Sequence, residues 1–356
     1  MASQLQSLAQ RELTGGMISN IADSLRPSNA ARLALNVHGD VLGNLTVRNG
    51  TTLVGSAVSG TDDCHGLHHF INSAGTVFRI VAAFNGVNYA YDGSTWTAIG
   101  TMTSTAKARY VTFTNLVMRV GGGSSTQSWT GNTGLSFTQG SQLTSAPDGK
   151  FIETYKQRVY IAGNSSYPDR VYRSSIVSTA GVITWDTSTQ YIDINPEDGN
   201  NITGFGKIAN LLLIFKDRAM YRWNGSSTDA EIVVDVGCSS QESVAQAKGR
   251  LFFFNAQGIW MTDSGYPQEI SRGVYDWIKN MSASFYSNVA GFCDHDHYYC
   301  SIGDVTKDGR TFSNVVLSYT ISSQAWHVHS FADSFRNFVK RVVSDGTVSY
   351  IGGDLD

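Results

Sequence analysis

The densest run of side chains able to do chemistry is Cys293-Asp294-His295-Asp296-His297, five consecutive residues of metal-ligating type. On a strand, alternation sends His295 and His297 to one face and Asp294 and Asp296 to the other. A zinc site needs three or four converging ligands, so neither face suffices by itself. The run reads better as a polar hairpin turn between two strands. Cys64-His65-Gly66-Leu67-His68-His69 is a second run of this type, again without zinc spacing. The other chemistry to weigh is carboxylate catalysis, in which two acids flank a glycosidic bond. Glu153, Asp294 and Asp296 are the carboxylates on or near strands that would face a central mouth.

The motifs that would give these residues a reaction are missing. A sialidase Asp-box needs Asp-x-Gly-x-x-Trp, whereas Asp92-Gly93-Ser94-Thr95-Trp96 misplaces both the glycine and the tryptophan. No Gly-x-Ser-x-Gly elbow and no Walker loop occurs. Gly121-Gly122-Gly123 precedes Ser124-Ser125 rather than Lys-Ser, and reads as a flexible turn. The chain is therefore not expected to be an enzyme, and no catalytic, cofactor-binding or metal residue is nominated.

The elements that would position such residues are short strands repeated at a steady interval. Apolar strands open at Val77, Leu116, Val159, Leu211, Leu251, Tyr298 and Val348, with steps of 39, 43, 52, 40, 47 and 50 residues. An interval of about 45 residues is near the blade length of a β-propeller. Each repeat reads as four antiparallel strands. In the first, Asn85-Gly86 and Asp92-Gly93 supply residues that tolerate positive φ in tight hairpins. Aromatic residues of the third and fourth strands, such as Tyr221 and Trp223, are expected to pack between neighbouring sheets. The seventh repeat is incomplete, because only Gly352-Gly353-Asp354-Leu355-Asp356 follows its apolar strand. The expectation is an all-β fold, a β-propeller of seven blades with six as the rival count. N-terminal strands at 41–47 and 52–54 would complete the last blade together with 335–356, leaving no open edge. Residues 35–356 then form the propeller, and 1–34 an arm with a short helix that starts at Ser28 and runs to Leu35. An arm outside a closed ring would dock on a neighbouring subunit. A second short helix is expected where Val274, Trp277, Ile278 and Met281 fall at helical spacing.

Composition agrees with an all-β protein: 36 Gly, 17 Phe, 16 Tyr and 7 Trp, with only 15% charged residues. Long solvent-exposed helices would need more Lys, Glu and Arg. The formal net charge is −3 and no basic cluster suggests a nucleic-acid or lipid-headgroup patch. No run of 18 apolar residues would insert into a membrane, and residues 1–17 lack the apolar run of a secretory signal. Cys64, Cys238, Cys293 and Cys300 form no C-x-x-C pair and read as free thiols of a reducing cytoplasm.

The N-terminal region carries a family resemblance. Gly15-Gly16-Met17-Ile18-Ser19-Asn20, Leu25-Arg26-Pro27-Ser28-Asn29-Ala30-Ala31, Leu35-Asn36-Val37 and Gly43-Asn44-Leu45-Thr46-Val47-Arg48-Asn49-Gly50 follow in order. This stretch resembles the opening of the podovirus tail nozzle or hub proteins, the packaged-DNA stabilisation family of bacteriophages. Lys156-Gln157-Arg158-Val159-Tyr160 shares the family's repeat style. The resemblance implies a structural virion protein, assembled in the host bacterial cytoplasm. Six copies would form a ring below the portal and adaptor that extends the DNA channel, retains packaged DNA and conducts it at ejection. DNA would run on the ring axis, without sequence-specific binding, and each propeller would lie off that axis. A charge-poor protein suits a conduit, since every phosphate neutralised by Lys or Arg would add adhesion. The competing class is a glycan-binding or glycan-hydrolysing propeller used for host recognition, which would gather exposed Trp or Tyr with carboxylates at one mouth.

Overall fold

The computed structural model describes residues 13–39, 44–56, 58, 63–103, 106–196, 198–225, 230–263 and 265–355. Over these residues the chain is an all-β protein, a β-propeller. Six antiparallel sheets succeed one another, each with its strands in chain order. Blade 1 comprises Cys64–Ile71, Phe78–Phe84, Val87–Tyr91 and Trp96–Thr101. Blade 2 has three strands, Ala108–Phe113, Leu116–Gly121 and Gln127–Trp129, with Thr138 bridging to Ser128 where a fourth would run. Blades 3, 4, 5 and 6 span residues 151–193, 202–234, 245–269 and 290–330, with four strands each.

The second strand of each blade explains why the repeat was legible. Where it is covered on both faces, as in blades 4 and 5, its sequence is a continuous apolar run rather than an alternation. Leu212, Leu213, Ile214 and Phe215 are all fully buried in blade 4, as are Phe252, Phe253 and Phe254 in blade 5. The tight turns work as their residues predict: Asn85 and Gly86 adopt φ of 43° and 72°.

The core is divided among the seams between consecutive blades. One cluster joins Phe70 and Val81 of blade 1 to Tyr110 and Trp129 of blade 2. Another joins Tyr160 and Ile192 of blade 3 to Phe205 and Trp223 of blade 4, where the Tyr160 and Trp223 rings meet edge-on at 5.5 Å. The largest gathers Phe252 and Phe254 of blade 5 with Tyr298, Val315 and Leu317 of blade 6. The expected helix lies here as Tyr275–Lys279, and Val274, Trp277, Ile278 and Met281 are buried in the same cluster.

Blade count and ring closure differ from the sequence expectation. Six of the seven apolar strand starts lie in second strands and Val77 directly precedes one, but the seventh strand, Val348–Leu355, pairs only with Ser334–Val342. The ring therefore has six blades rather than seven, and a two-stranded hairpin fills the gap between blade 6 and blade 1. Its Phe338 and Tyr350 rings lie 4.6 Å and 5.0 Å from Phe292 of blade 6. Toward blade 1, Asn337 Nδ2 donates to the Cys64 carbonyl at 2.7 Å and Arg336 pairs with Asp63 at 2.7 Å.

The N-terminal strands do not complete that hairpin. Leu45–Val47 pairs with Val37–Gly39, residues 52–54 form no strand, and 40–43 lie outside the described residues. The segment instead runs along the outer strand of blade 6, Ala325–Ser330. Leu35 bridges to Val328, and Asn36 N donates to the Val328 carbonyl at 2.7 Å.

The expected helix from Ser28 to Leu35 is also absent, replaced by a turn in which Ala30 N donates to the Pro27 carbonyl at 3.0 Å. Tertiary contacts override local propensity here: Met17, Ala30 and Ala34 are buried, and Met17 N donates to the Trp326 carbonyl at 2.7 Å. From residue 13 onward the arm is thus a strap on its own propeller. Residues 1–12, the rest of the arm expected to dock on a neighbour, lie outside the described residues. Among the described residues no helix is long and apolar enough to cross a membrane.

Candidate functional site

The first strands of the blades line a central channel of about 450 Å³, the place where propellers commonly concentrate polar groups. Leu67 and His68, Arg109 to Thr112, Ile152 to Thr154, Lys207, Gly291 and Asn337 reach it from successive sheets. His68 Nε2 lies 2.8 Å from Thr112 Oγ1, and burial drives the His68 pKa down to about 4.

The channel's carboxylates are neutralised. Glu153 pairs with Lys207 at 2.9 Å. Glu242, in the short helix Gln241–Ser243 before blade 5, takes Arg109 at 2.8 Å on one oxygen and Lys107 at 3.2 Å on the other. Ser240 Oγ adds a hydrogen bond at 3.1 Å. Burial alone would raise the pKa of Glu242, but Arg109 and Lys107 together outweigh it and hold the group at about 2. A carboxyl so strongly acidic stays ionised near neutral pH and cannot act as the protonated general acid of a glycosidase. Arg109 is fixed further by the Lys150 carbonyl at 2.8 Å and by the Phe151 ring, 4.5 Å from its guanidinium carbon.

A wider cavity of about 710 Å³ opens at one mouth, lined by Gly121, Gly122 and Gly123 with Ser124, Ser125 and Asn164. The three glycines have φ between 64° and 73°, and a Cβ on Gly121 would meet the Lys107 carbonyl oxygen at 2.3 Å. Glycine is required there by backbone conformation and close approach, not by phosphate binding. Phe151 is the single aromatic side chain among the residues lining this mouth.

The two ligand-rich runs do not assemble sites. Asp294 to Asp296 form the turn into the second strand of blade 6. One Asp294 oxygen accepts from the backbone amides of Asp296 at 2.7 Å and His297 at 2.6 Å. Asp296 pairs with Lys248 and accepts from Ser322 Oγ, while His295 is exposed. Cys64 to His69 form the first strand of blade 1, which divides them between its two faces. Among the described residues no group of three or more His, Cys, Asp or Glu side chains is arranged to hold a metal ion. All four cysteines are free, and burial raises the thiol of Cys238 to about 11 and those of Cys64 and Cys300 to about 12. Of the three candidate carboxylates, Glu153 alone lines the channel.

Sequence reasoning missed the Lys107–Arg109–Glu242 group, in which the carboxylate lies more than 130 positions from either cation. It also missed a histidine cluster formed by His38 on the strap with His297, His327 and His329 on blade 6. One local signal was available: His327 and His329, two apart on a strand, must share a face.

The class defined by this architecture is the six-bladed β-propeller. Among solved structures the chain is similar to BamB from Moraxella catarrhalis, with 12% identity and a TM-score of 0.50 over 83% of this chain and 85% of that one. It is similar also to YCF48 from Cyanidioschyzon merolae, with 9% identity and a TM-score of 0.50 over 84% and 95% of the two chains. At such identities the likeness extends to the fold alone. No protein-family model matches the sequence, and no curated protein matches it either.

Proposed function

We propose that this chain is a non-catalytic structural propeller, one subunit of a bacteriophage tail nozzle or hub ring. In this reading, copies of the chain surround a DNA channel below the portal and adaptor, retain packaged DNA and conduct it at ejection. The observation that carries the proposal is the position of exposed apolar side chains. Among the described residues fourteen large apolar side chains are exposed, and six of them lie between Ile21 and Leu53, the region that carries the family resemblance. Leu25, Val47 and Leu53 are 74%, 78% and 78% exposed. A segment held on the propeller by backbone hydrogen bonds while presenting leucine and valine outward suits a subunit contact. In a closed ring that contact is heterologous, made by different surfaces of each copy.

The channel chemistry supports the same reading. Glu242 and Glu153 are held by cations, and among the described residues lining the mouth Phe151 is the single aromatic ring, where glycan stacking uses several converging ones. A propeller channel occupied by ion pairs is also a poor conduit for a duplex, in keeping with DNA running between subunits.

Native mass spectrometry of the purified chain, with imaging of assembled particles, tests the proposal. The expected result is a single closed-ring stoichiometry that a Leu25→Asp, Val47→Asp double variant converts to monomers with an unchanged circular-dichroism spectrum. A wild-type monomer at all concentrations that also fails to enter particles would overturn it. So would turnover of a glycan abolished by Glu153→Gln.

A further inference from the structure

Four of the chain's eight histidines meet where the strap crosses blade 6. The His38 ring centre lies 4.4 Å from that of His329, 5.5 Å from His297 and 6.3 Å from His327. His327 and His329 are each 1% exposed. Their ring nitrogens are poorly satisfied: His38 Nδ1, His327 Nδ1 and both nitrogens of His329 are buried without a hydrogen-bond partner. Gly39 N of the strap donates a hydrogen bond to His327 Nε2 at 3.1 Å. That bond requires a lone pair on Nε2, hence a neutral imidazole.

We propose that this cluster is a proton-operated latch, in which acidification charges the imidazoles and releases strap residues 34–39 from blade 6. Protonating His327 turns its acceptor into a donor that faces the Gly39 N–H. Charging both His38 and His329 places like charges on rings 4.4 Å apart, one of them buried.

The surrounding groups favour release. From the strap itself comes a permanent cation, Arg48, whose guanidinium bonds the Ser330 carbonyl at 2.8 Å and Asn36 Oδ1 at 3.1 Å. From the second strand of blade 6 come His297 and Tyr299, whose rings lie 5.5 Å and 6.1 Å from His38. Among the described residues the single carboxylate is Asp294, already shared among the His297 ring at 3.1 Å, the Tyr299 hydroxyl at 3.2 Å and two backbone amides. Full protonation would set four imidazoliums and a guanidinium against that one described carboxylate. Burial, reinforced by the neighbouring cations, lowers His38, His327 to about 4 and His329 to about 2.

The sign follows from linkage. Each of these three groups is harder to protonate when the strap is docked than when it is free and solvated. Docking is fully favourable above about pH 6.5, the ordinary histidine value, and weakens as pH falls from there toward the docked-state values. Beyond residue 34 the strap is otherwise held by backbone hydrogen bonds, by Leu35 and Val37 against the blade 5–6 cluster, and by Arg48, which lies 4.0 Å over the Phe331 ring, while Leu45 and Val47 are exposed to solvent. Local release is thus possible while the blades stay folded.

Hydrogen exchange corrected for intrinsic rates tests the latch at pH 7.5 and pH 5.0. Protection of the Asn36 and Gly39 amides in the full chain should fall by about tenfold or more at the lower pH, while Leu211–Lys216 of blade 4 changes less than about twofold. His329→Leu, which removes a ring with no hydrogen bond to lose, and His38→Phe should each flatten the response of the strap. His38 belongs to the strap and not to a blade sheet, so that variant stays informative even if His329→Leu fails to fold. Equal protection of the wild-type strap at both values would overturn the proposal. An equal loss in blade 4, or an unchanged response in His38→Phe, would do the same.

Discussion

Two seams of the ring are built in opposite ways. Blades 5 and 6 meet through apolar side chains: Phe252 stacks on Tyr298 at 4.9 Å between ring centres, and Trp277, Val315 and Leu317 extend the cluster to the strap residue Met17. The closing hairpin meets blade 1 through small and polar groups: Gly353 against Cys64, the Asn337 amide on the Cys64 carbonyl, and the Arg336–Asp63 pair. The first seam joins sheets consecutive in the chain. The second joins residues 273 positions apart. Neighbouring sheets can associate through non-directional burial because the chain keeps them close. The closing contact must overcome a larger loop-closure entropy and select one register, which directional hydrogen bonds and close backbone approach can do. The difference teaches that stability and closure are separate properties of this ring.

The largest effect belongs to the apolar seam. Phe252 is fully buried and faces both Tyr298 and Tyr319, so Phe252→Ala removes a ring from a site that its rigid neighbours cannot refill. The expected cost is about 3–5 kcal/mol, read as a lowered midpoint in urea with an unchanged slope. A loss below about 1 kcal/mol would mean that the blade 5–6 seam does not dominate the core.

This contrast also separates what was legible in the sequence from what was not. Second strands could be read because double-sided burial leaves unbroken apolar runs, as in Leu211-Leu212-Leu213-Ile214. Fourth strands were uneven: Trp96 and Trp326 mark those of blades 1 and 6, whereas Gln268–Glu269 of blade 5 is two residues of polar chain held by one neighbour. The seventh start was real as a strand but could not reveal that it headed only a hairpin. Its supposed partners at 41–54 were assigned by the need to close an edge, not by any pattern in their residues.

Ser28 to Leu35 of the strap suggests a helix in the sequence because Ser28, following Pro27, can cap one. Contacts with Trp326 and Val328, nearly 300 positions away, decide otherwise. The site divided in the same way. Glu153 was legible because it sits on a first strand. Glu242 and His38 were not, because their partners lie 133 or more positions away.

At the closing seam an intermediate effect is expected from sterics. A Cβ on Gly353 would stand 2.4 Å from Cys64 Sγ and 2.7 Å from Cys64 Cβ. Gly353→Ala must push the hairpin off the first strand of blade 1, at a cost of about 1–3 kcal/mol. Cys64→Ala removes the nearer atom and should return part of that loss, so the two substitutions should couple in a double-mutant cycle by at least about 0.5 kcal/mol. Strict additivity would show that the hairpin and blade 1 do not share this contact.

The smallest effect is expected from the ion pair beside it. Arg336 and Asp63 are 2.7 Å apart, with side chains 10% and 28% exposed. Arg336→Met keeps the aliphatic stem and removes the charge. Asp63 then stays near enough to water to be resolvated, so the loss should be about 1 kcal/mol, not the several expected for a stranded buried charge. The pair should also respond to salt, and the difference between wild type and variant should shrink as ionic strength rises. A loss as large as that of Phe252→Ala, or one indifferent to salt, would mean that Arg336 acts through packing and that the two seams are more alike than their chemistry indicates. A measurable opening of the hairpin at low stability cost, seen as faster exchange of the Asn337 and Gly353 amides alone, would establish the reverse: a ring whose closure can be loosened without unfolding its blades.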